Sequence, residues 1–356
     1  MDIEFHYYIM YLIAAKAGFN PEDSYLIAYS SQFVDDNVIN YEINSNTSQA
    51  YENHISQTYN ILKPTQKLFS IYPQFHFIPG DIESDIRKDG KLHYLNTTPG
   101  SINAEEMLKS ALESNNLYRI GIACHGYADT WSHQNFVGYL EEFNADLKHP
   151  LKRIIPFFRY KWGWRLVGHA AFDHKPDKVN GVWLDQRLIP EYEQRHNNTL
   201  FLEAASSIFD LLYFYNYPDS TTKEKEANIE SLLNDLSYAF NSESPQKRIE
   251  NYIELSKMDH YGSTEIKKYD RNEWMEEAIH EDLQSLRTKG KHIVIKVLYN
   301  WLSSSISLLN QYNWKDSNKY MDTNWFKFQE AIKKHQEVAT DILNQTDVGK
   351  LKLADW

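Results

Sequence analysis

The residues with the clearest chemistry lie in HGYADTWSH, residues 125–133. His125, Asp129 and His133 are spaced four apart. On a helix that step keeps them on one side, with a drift of about 40° per step. Imidazole and carboxylate together suit zinc, iron or manganese. The segment GHAAFD repeats the step with His169 and Asp173. Two helices that each turn a His and an Asp inward are how a helical bundle builds a metal site. The plainer alternative is a hydrogen-bonded core pair, because a His and an Asp four apart are common on helices. Ile122, Ala123, Tyr127 and Trp131 surround the first set. Three polar groups in such company are costly to bury unpaired, and a metal ion would satisfy them together.

Further candidate ligands lie upstream. His6 sits in the first turns of the chain, and Asp35 and Asp36 follow a second helix. His76 lies in PQFHFIPGD between two phenylalanines, a setting that holds a ligand rigidly. His54, in YENHISQ, reads as part of an ordinary polar helix face.

The order of these residues resembles the zinc-dependent phospholipase C and single-strand nuclease superfamily, over roughly residues 1 to 175. That resemblance implies a mostly helical fold, up to three zinc ions in a cleft, and hydrolysis of phosphate esters. It implies that Asp36, His76, His125 and Asp129 hold one ion and that His133, His169 and Asp173 hold a second. It also implies that His6, Asp129 and groups at the very N-terminus hold a third, with Asp129 bridging. In that superfamily the N-terminal residue is usually a tryptophan whose amino group binds metal. Here Met1 would serve through an inward-folded amino group, with Asp2 as a substitute ligand. The step from Asp129 to His133 is shorter than in the family, and the gap from Asp36 to His76 is long. The sequence is also similar to bacterial proteins that share a DxEFHYY-like start and an ACHGYADTWSH-like segment.

The chemistry that follows is metal-assisted hydrolysis. Two ions about 3.5–4 Å apart activate a water and stabilise the oxygens of an in-line displacement. Asp35 is placed to orient that water or accept its proton. Arg165 or Arg187 would bind a phosphate oxygen, and Trp131, Tyr127 and Trp164 would line a substrate wall. Asp177 and Asp185 are available to fix histidine tautomers from outside. The expected cofactor is two or three zinc ions, with iron, manganese or nickel as alternatives. The expected substrate is a small phosphorylated molecule or a lipid headgroup. The rivals are a helical phosphohydrolase with an adjacent His-Asp doublet, matched here only by the reversed Asp173-His174, and a metal-stabilised protein without catalysis.

The elements that must position these groups read as helical. Helices are predicted over Ile3–Ala17, from Pro21 to Phe33, over 49–62, from Ala104 behind an Asn103 cap, and over Leu117–Gln134. A buried helix is expected over 160–172. Later helices are expected over 199–213, 223–239, 245–256, 272–311 with a break at Gly290, and 322–345. The stretch 64–102, with its prolines and glycines, reads as irregular, with short strands near Phe75–Ile78 and Lys91–Leu95. The fold class is all-α: a multi-helix bundle with a short irregular or β-hairpin insertion, resembling the phospholipase C/nuclease fold. Residues 1–198 would form the metal-binding core. Residues 199–356 would continue it as helices packed on that core, within one compact domain.

Composition sets the outer limits. The chain has 356 residues and a net charge of -12, which argues against a stable nucleic-acid partner because phosphate contacts need Lys and Arg. Twenty-five tyrosines and nine tryptophans exclude global disorder. The single cysteine, Cys124, rules out an intramolecular disulfide and suggests a reducing compartment. Asp2, Glu4 and His6 sit where a signal peptide wants positive charge, and the apolar run that follows is too short to span a bilayer. The expected location is cytoplasmic, or outside by a route without a conventional leader. No zinc finger, phosphate-binding glycine loop or serine elbow is present.

Overall fold

The computed structural model describes residues 1–45, 47–58, 66–82, 86–145, 166–242, 244–281 and 312–351. The chain opens with a π-helical stretch, Glu4–Ile9, that continues as α1, Met10–Lys16. π-helical turns are rare and concentrate at functional sites, and this one carries His6. Next comes α2, Pro21–Asp36, started by the Asn20 side chain, which accepts from the Glu22 and Asp23 amides. Two short strands follow, β1 (Glu42–Ile43) and β2 (Tyr51–Glu52), paired antiparallel. Thus the 49–62 region holds a strand where a helix was expected; residues 59–62 lie outside the described residues. Next is α3, Gln66–Phe75. Phe75 therefore ends a helix, and neither Phe75–Ile78 nor Lys91–Leu95 forms a strand.

The central helices are α4, Ile102–Glu113, and α5, Leu117–Ser132. Ser101 caps α4 through the Ala104 amide, while Asn103, the expected cap, donates instead to the Pro79 carbonyl. Asn116 caps α5 through the Arg119 amide. Two antiparallel strand pairs follow: β3 (Leu140–Glu141) with β4 (Leu166–Val167), and β5 (Val182–Leu184) with β6 (Gln194–His196). The expected 160–172 helix is therefore replaced, where described, by β4 and a run of turns. Its first residues, 160–165, lie outside the described residues.

The second half is α6 (Asn197–Asn216), α7 (Thr222–Phe240), α8 (Pro245–Ser256), α9 (Glu273–Ala278) and α10 (Asn324–Asn344). Between the last two run β7 (Ile279–Glu281) and β8 (Tyr312–Trp314). The expected 272–311 helix is thus short, giving way to β7; residues 282–311, with the expected break at Gly290, lie outside the described residues. Strand β8 pairs antiparallel with β7 and parallel with β1, giving a four-stranded sheet in the order β2-β1-β8-β7. The architecture is an all-α multi-helix bundle with small sheets inserted.

Helix α5 is the hub, packed against α2, α4, α6 and α10. One apolar core runs from Met1 to Val348, so helices of both halves share it. Two glycines on α5 set how closely its neighbours approach. A Cβ at Gly121 would lie 2.3 Å from the Ile27 carbonyl oxygen, and one at Gly126 would lie 3.0 Å from that of Phe75. Without side chains there, α2 and the Phe75–Ile78 segment close on α5, bringing backbone carbonyls within reach of its histidines. Among the described residues, no helix is long and apolar enough to cross a membrane.

Candidate metal centre

Asp129, fully buried on α5, is the centre of the arrangement. Its Oδ1 lies 3.1 Å from His6 Nε2 and also takes an ion pair from the Met1 amino group. Its Oδ2 lies 3.2 Å from His125 Nε2, 3.4 Å from His76 Nδ1 and 3.6 Å from His133 Nδ1. The Met1 amino group also reaches Ser132 Oγ at 3.2 Å and Asp177 Oδ1 at 3.4 Å. Asp35 Oδ1 sits 3.7 Å from His76 Nδ1 and 3.8 Å from His125 Nε2. On the far side, Asp177 faces His133 Nε2 at 3.2 Å and His169 Nε2 at 3.3 Å.

Four of the five histidines have their outer nitrogen tied to a backbone carbonyl. His125 Nδ1 donates to Ser31 at 2.8 Å, and His76 Nε2 to Ser56 at 2.9 Å. His133 Nδ1 donates to His76 at 2.8 Å, and His169 Nδ1 to Asp173 at 2.9 Å. A carbonyl only accepts, so each outer nitrogen carries the proton and each inner nitrogen presents its lone pair. The inner atoms then meet acceptor to acceptor. His125 Nε2 and His76 Nδ1 are 3.1 Å apart with no hydrogen assigned between them by these bonds. Such a geometry is repulsive unless a cation, either an added proton or a metal ion, sits among the lone pairs. Ligands about 2.0–2.1 Å from a tetrahedral ion lie about 3.3–3.4 Å from one another. The inner contacts here, 3.1–3.8 Å, match that spacing.

The charge balance agrees. Burial works against ionised Asp129, yet His133, the Met1 ammonium, His125 and His6 hold its carboxyl well below the usual range. Asp177 is likewise held below it against burial, by His169, the ammonium and His133. Burial also opposes the Met1 ammonium, but Asp129, Asp177 and Asp35 push it up to about 11. His6 is lowered to about 3 by burial, by His125 and by the ammonium. His76 moves the other way, because Asp129 and Asp35 outweigh its burial. The two rings touch the same carboxylate, but His76 faces a second anion, Asp35, where His6 faces the Met1 ammonium. The cluster is an anionic cage that demands positive charge.

Among the described residues, three sets of side chains are close enough to hold an ion: His6, His125 and Asp129; Asp35, His76 and His125, which shares His125 with the first; and His133, His169 and Asp177. His125 offers only Nε2, since Nδ1 is engaged by Ser31, so it can serve one ion. Solvent reaches the cluster at two edges: the Asp35 side chain is 30% exposed and His169 is 20% exposed.

Several expected site residues are placed differently. Asp36 points away from the histidines, accepting from the Tyr269 hydroxyl at 2.8 Å and Gln32 at 3.3 Å, with Arg271 at 3.4 Å. Neighbours on a helix diverge by about 100°, so Asp35 takes the inward position, as a candidate ligand. Asp173 is 79% exposed and contributes only its carbonyl, to His169. Its left-handed φ of 56° belongs to a run of turns, which breaks the four-residue logic and brings Asp177 inward. Asp2 Oδ1 accepts from the Glu4 amide, and Asp2 belongs to none of the three ion-holding sets. Burial and the nearby Glu4 push its carboxyl up to about 7. Tyr127 and Trp131 are buried core residues packed edge to face, the former bonded to Ser207 and the latter lying over Gly100. Arg187 is held by Asp185 in a two-pronged ion pair and stacks on Phe136. Arg165 and Trp164 lie outside the described residues.

This placement predicts a sharp contrast between neighbouring carboxylates. Asp35→Asn and Asp177→Asn are each expected to weaken zinc binding by more than about 100-fold at one set, since each would remove a candidate ligand. Asp36→Asn and Asp173→Asn leave zinc affinity unchanged. Competitive zinc titration with a chromophoric chelator reads all four; equal losses within either pair would reverse the placement.

Fold and site define an all-α protein with clustered His and Asp side chains spaced so that they could hold metal ions. Residues 1–343 match the model of the family described as "Family of unknown function (DUF6765)", and the chain belongs to that family. No curated protein and no solved structure matches it.

Proposed function

We propose that this protein binds two or three divalent cations, zinc foremost, and hydrolyses a phosphate ester. The observation that carries this reading is the set of inner lone pairs at ligand spacing, four of the five rings locked by a carbonyl behind them. Because His125 Nε2 serves one ion, the ligands divide naturally. Asp35, His76, His125 and Asp129 Oδ2 take one ion; His6, Asp129 Oδ1 and the Met1 amino group, whose proton the ion displaces, take a second; His133, His169 and Asp177 take a third. Imidazole and carboxylate favour zinc and leave iron, manganese and nickel as substitutes. The chain order of these ligands resembles the zinc-dependent phospholipase C and single-strand nuclease superfamily, and that likeness supplies the substrate class. Bound ions supply Lewis acidity and an activated water. The edges at Asp35 and His169 are where a small phosphorylated substrate or lipid headgroup would enter. The net charge of -12 disfavours long nucleic acids.

A second reading rests on burial. His6, His125 and Asp129 are almost wholly enclosed, as in a metal site that only stabilises a fold. One experiment separates the two. The zinc-loaded protein is assayed on bis(p-nitrophenyl) phosphate and on short-chain phosphatidylcholine, then again after EDTA and after zinc is restored. Turnover that disappears with EDTA and returns with zinc supports the hydrolase. A fully loaded protein with no turnover on either substrate favours the structural role.

A further inference from the structure

The C-terminal helix α10 lies outside the metal cluster, yet it reaches the cluster through buried amides. Gln329 on α10 is fully buried, and its Nε2 donates to Asn37 Oδ1 at 3.0 Å. Asn37 follows α2 directly, and its Nδ2 donates to the His54 carbonyl at 2.8 Å and to Ser56 Oγ at 3.2 Å. The Ser56 amide donates back to the Asn37 carbonyl at 3.1 Å, and the Ser56 hydroxyl donates to the Val34 carbonyl at 2.8 Å. Asn53 adds a further tie, donating to the Ile39 carbonyl at 3.0 Å while its Oδ1 accepts from the Tyr41 amide. The product of all these bonds is one fixed atom, the Ser56 carbonyl oxygen, 2.9 Å from His76 Nε2.

We infer that Gln329 and Asn37 are positioning residues that hold His76 with its proton on Nε2 and its Nδ1 lone pair in the cluster. The argument is one of cost and necessity. Burying Asn37, Asn53, Ser56 and Gln329 is unfavourable unless they are bonded; their donors are all used in this chain, and Gln329 Oε1 is the one side-chain oxygen of the four left without a partner. Strand pairing does not fix residues 53–58, which follow the two-residue strand β2. The amide chain is what gives the Ser56 carbonyl a defined place. His76 needs that acceptor, because its inner nitrogen faces His125 Nε2 and two carboxylates. Without it, the ring can turn or move its proton to Nδ1, and the lone pair leaves the site.

The inference rests on the cluster being a metal site, but one of its readouts does not. Two-bond 1H–15N correlation spectra of the histidine rings in metal-free protein, recorded at a pH high enough that the rings are neutral, report each ring's tautomer, with His76 assigned by comparison with His76→Gln. Wild type should show His76 protonated at Nε2. Gln329→Met, which keeps the length of the side chain and removes its donor, and Asn37→Ala should give mixed tautomers. In zinc titrations both should weaken the ion held by Asp35, His76 and His125 about 10- to 100-fold, with the other ions unchanged. Thr340→Val removes a different bond from α10, the one accepted from Gln74, and should leave the His76 ring as in wild type. An unchanged ring in both relay variants overturns the inference, as does an equal effect of Thr340→Val or an equal loss at every ion. Failure of wild type to bind zinc, with the ring still responding to Gln329, sinks the metal reading alone.

Discussion

Replacing Asp129 with asparagine should remove two of the bound ions at once and leave at most one zinc per chain. Asparagine keeps the shape but converts one carboxylate oxygen into an NH2 donor, which cannot ligate, and leaves the other a neutral amide oxygen, a far weaker ligand than a carboxylate. Both oxygens of Asp129 are in use: Oδ1 faces His6 and the Met1 amino group, and Oδ2 faces His125, His76 and His133. The His133, His169 and Asp177 set has its own carboxylate and should survive. Stability should follow occupancy. An ion free at 100 times its Kd adds about 2.7 kcal/mol, so losing two removes roughly 5 kcal/mol of metal-linked stability. EDTA should therefore lower the melting temperature of wild type much more than that of Asp129→Asn. Metal content by mass spectrometry and paired melts with and without chelator test this. Retention of two or more zinc ions by the variant would remove Asp129 from its bridging place. Binding should also weaken as pH falls, because protons compete for the same imidazole lone pairs.

What could be read from the sequence follows from how local each constraint is. The four-residue step from His125 to Asp129 is legible because α5 is a continuous helix with a clear Asn116 cap. His133 sits one residue past its end, close enough for the same periodicity to hold. The choice between Asp35 and Asp36 is different. Both end α2, and the Tyr269 hydroxyl, far away in sequence, is what holds Asp36 outward. The second pair failed because GHAAFD is helical in composition but not in conformation. Gly168 and Asp173 both adopt positive φ. Gly168 before the histidine and Pro176 just before Asp177 were the available signs of a turn. The carbonyls that lock the rings leave no trace in sequence, since Ser31, Ser56 and His76 act through backbone oxygens. Although the helix expected from 272 gives way to a strand after Ala278, most helices of the second half were visible in the sequence. Their reach into the site was not, because it passes through single buried contacts such as Gln329.

The other such contact gives the largest expected effect on the fold itself. Arg248 on α8 grips Glu4 with two bonds, Nε to Oε2 at 2.7 Å and Nη2 to Oε1 at 2.6 Å, with both side chains almost fully buried. The Tyr252 hydroxyl adds a third bond to Glu4 at 3.3 Å, and Arg248 Nη1 anchors itself on the Ser242 carbonyl. Glu4 opens the π-helical stretch that presents His6, so this pair ties α8 to the turn that carries His6. Removing one member of a buried pair strands the other's charge, at a cost of about 3–5 kcal/mol. Arg248→Met should lose that much in urea unfolding of the chelator-treated protein. Adding Glu4→Gln to it should restore a large part, because no carboxylate is then left unpaired. In the zinc-loaded protein, Arg248→Met should also weaken the ion at His6 while sparing the one at His133, His169 and Asp177. A double-mutant cycle decides whether the pair acts as a unit. Additive losses, or a cost for Arg248→Met below about 1 kcal/mol, as for an exposed pair, would mean that α8 does not hold the N-terminal turn in place.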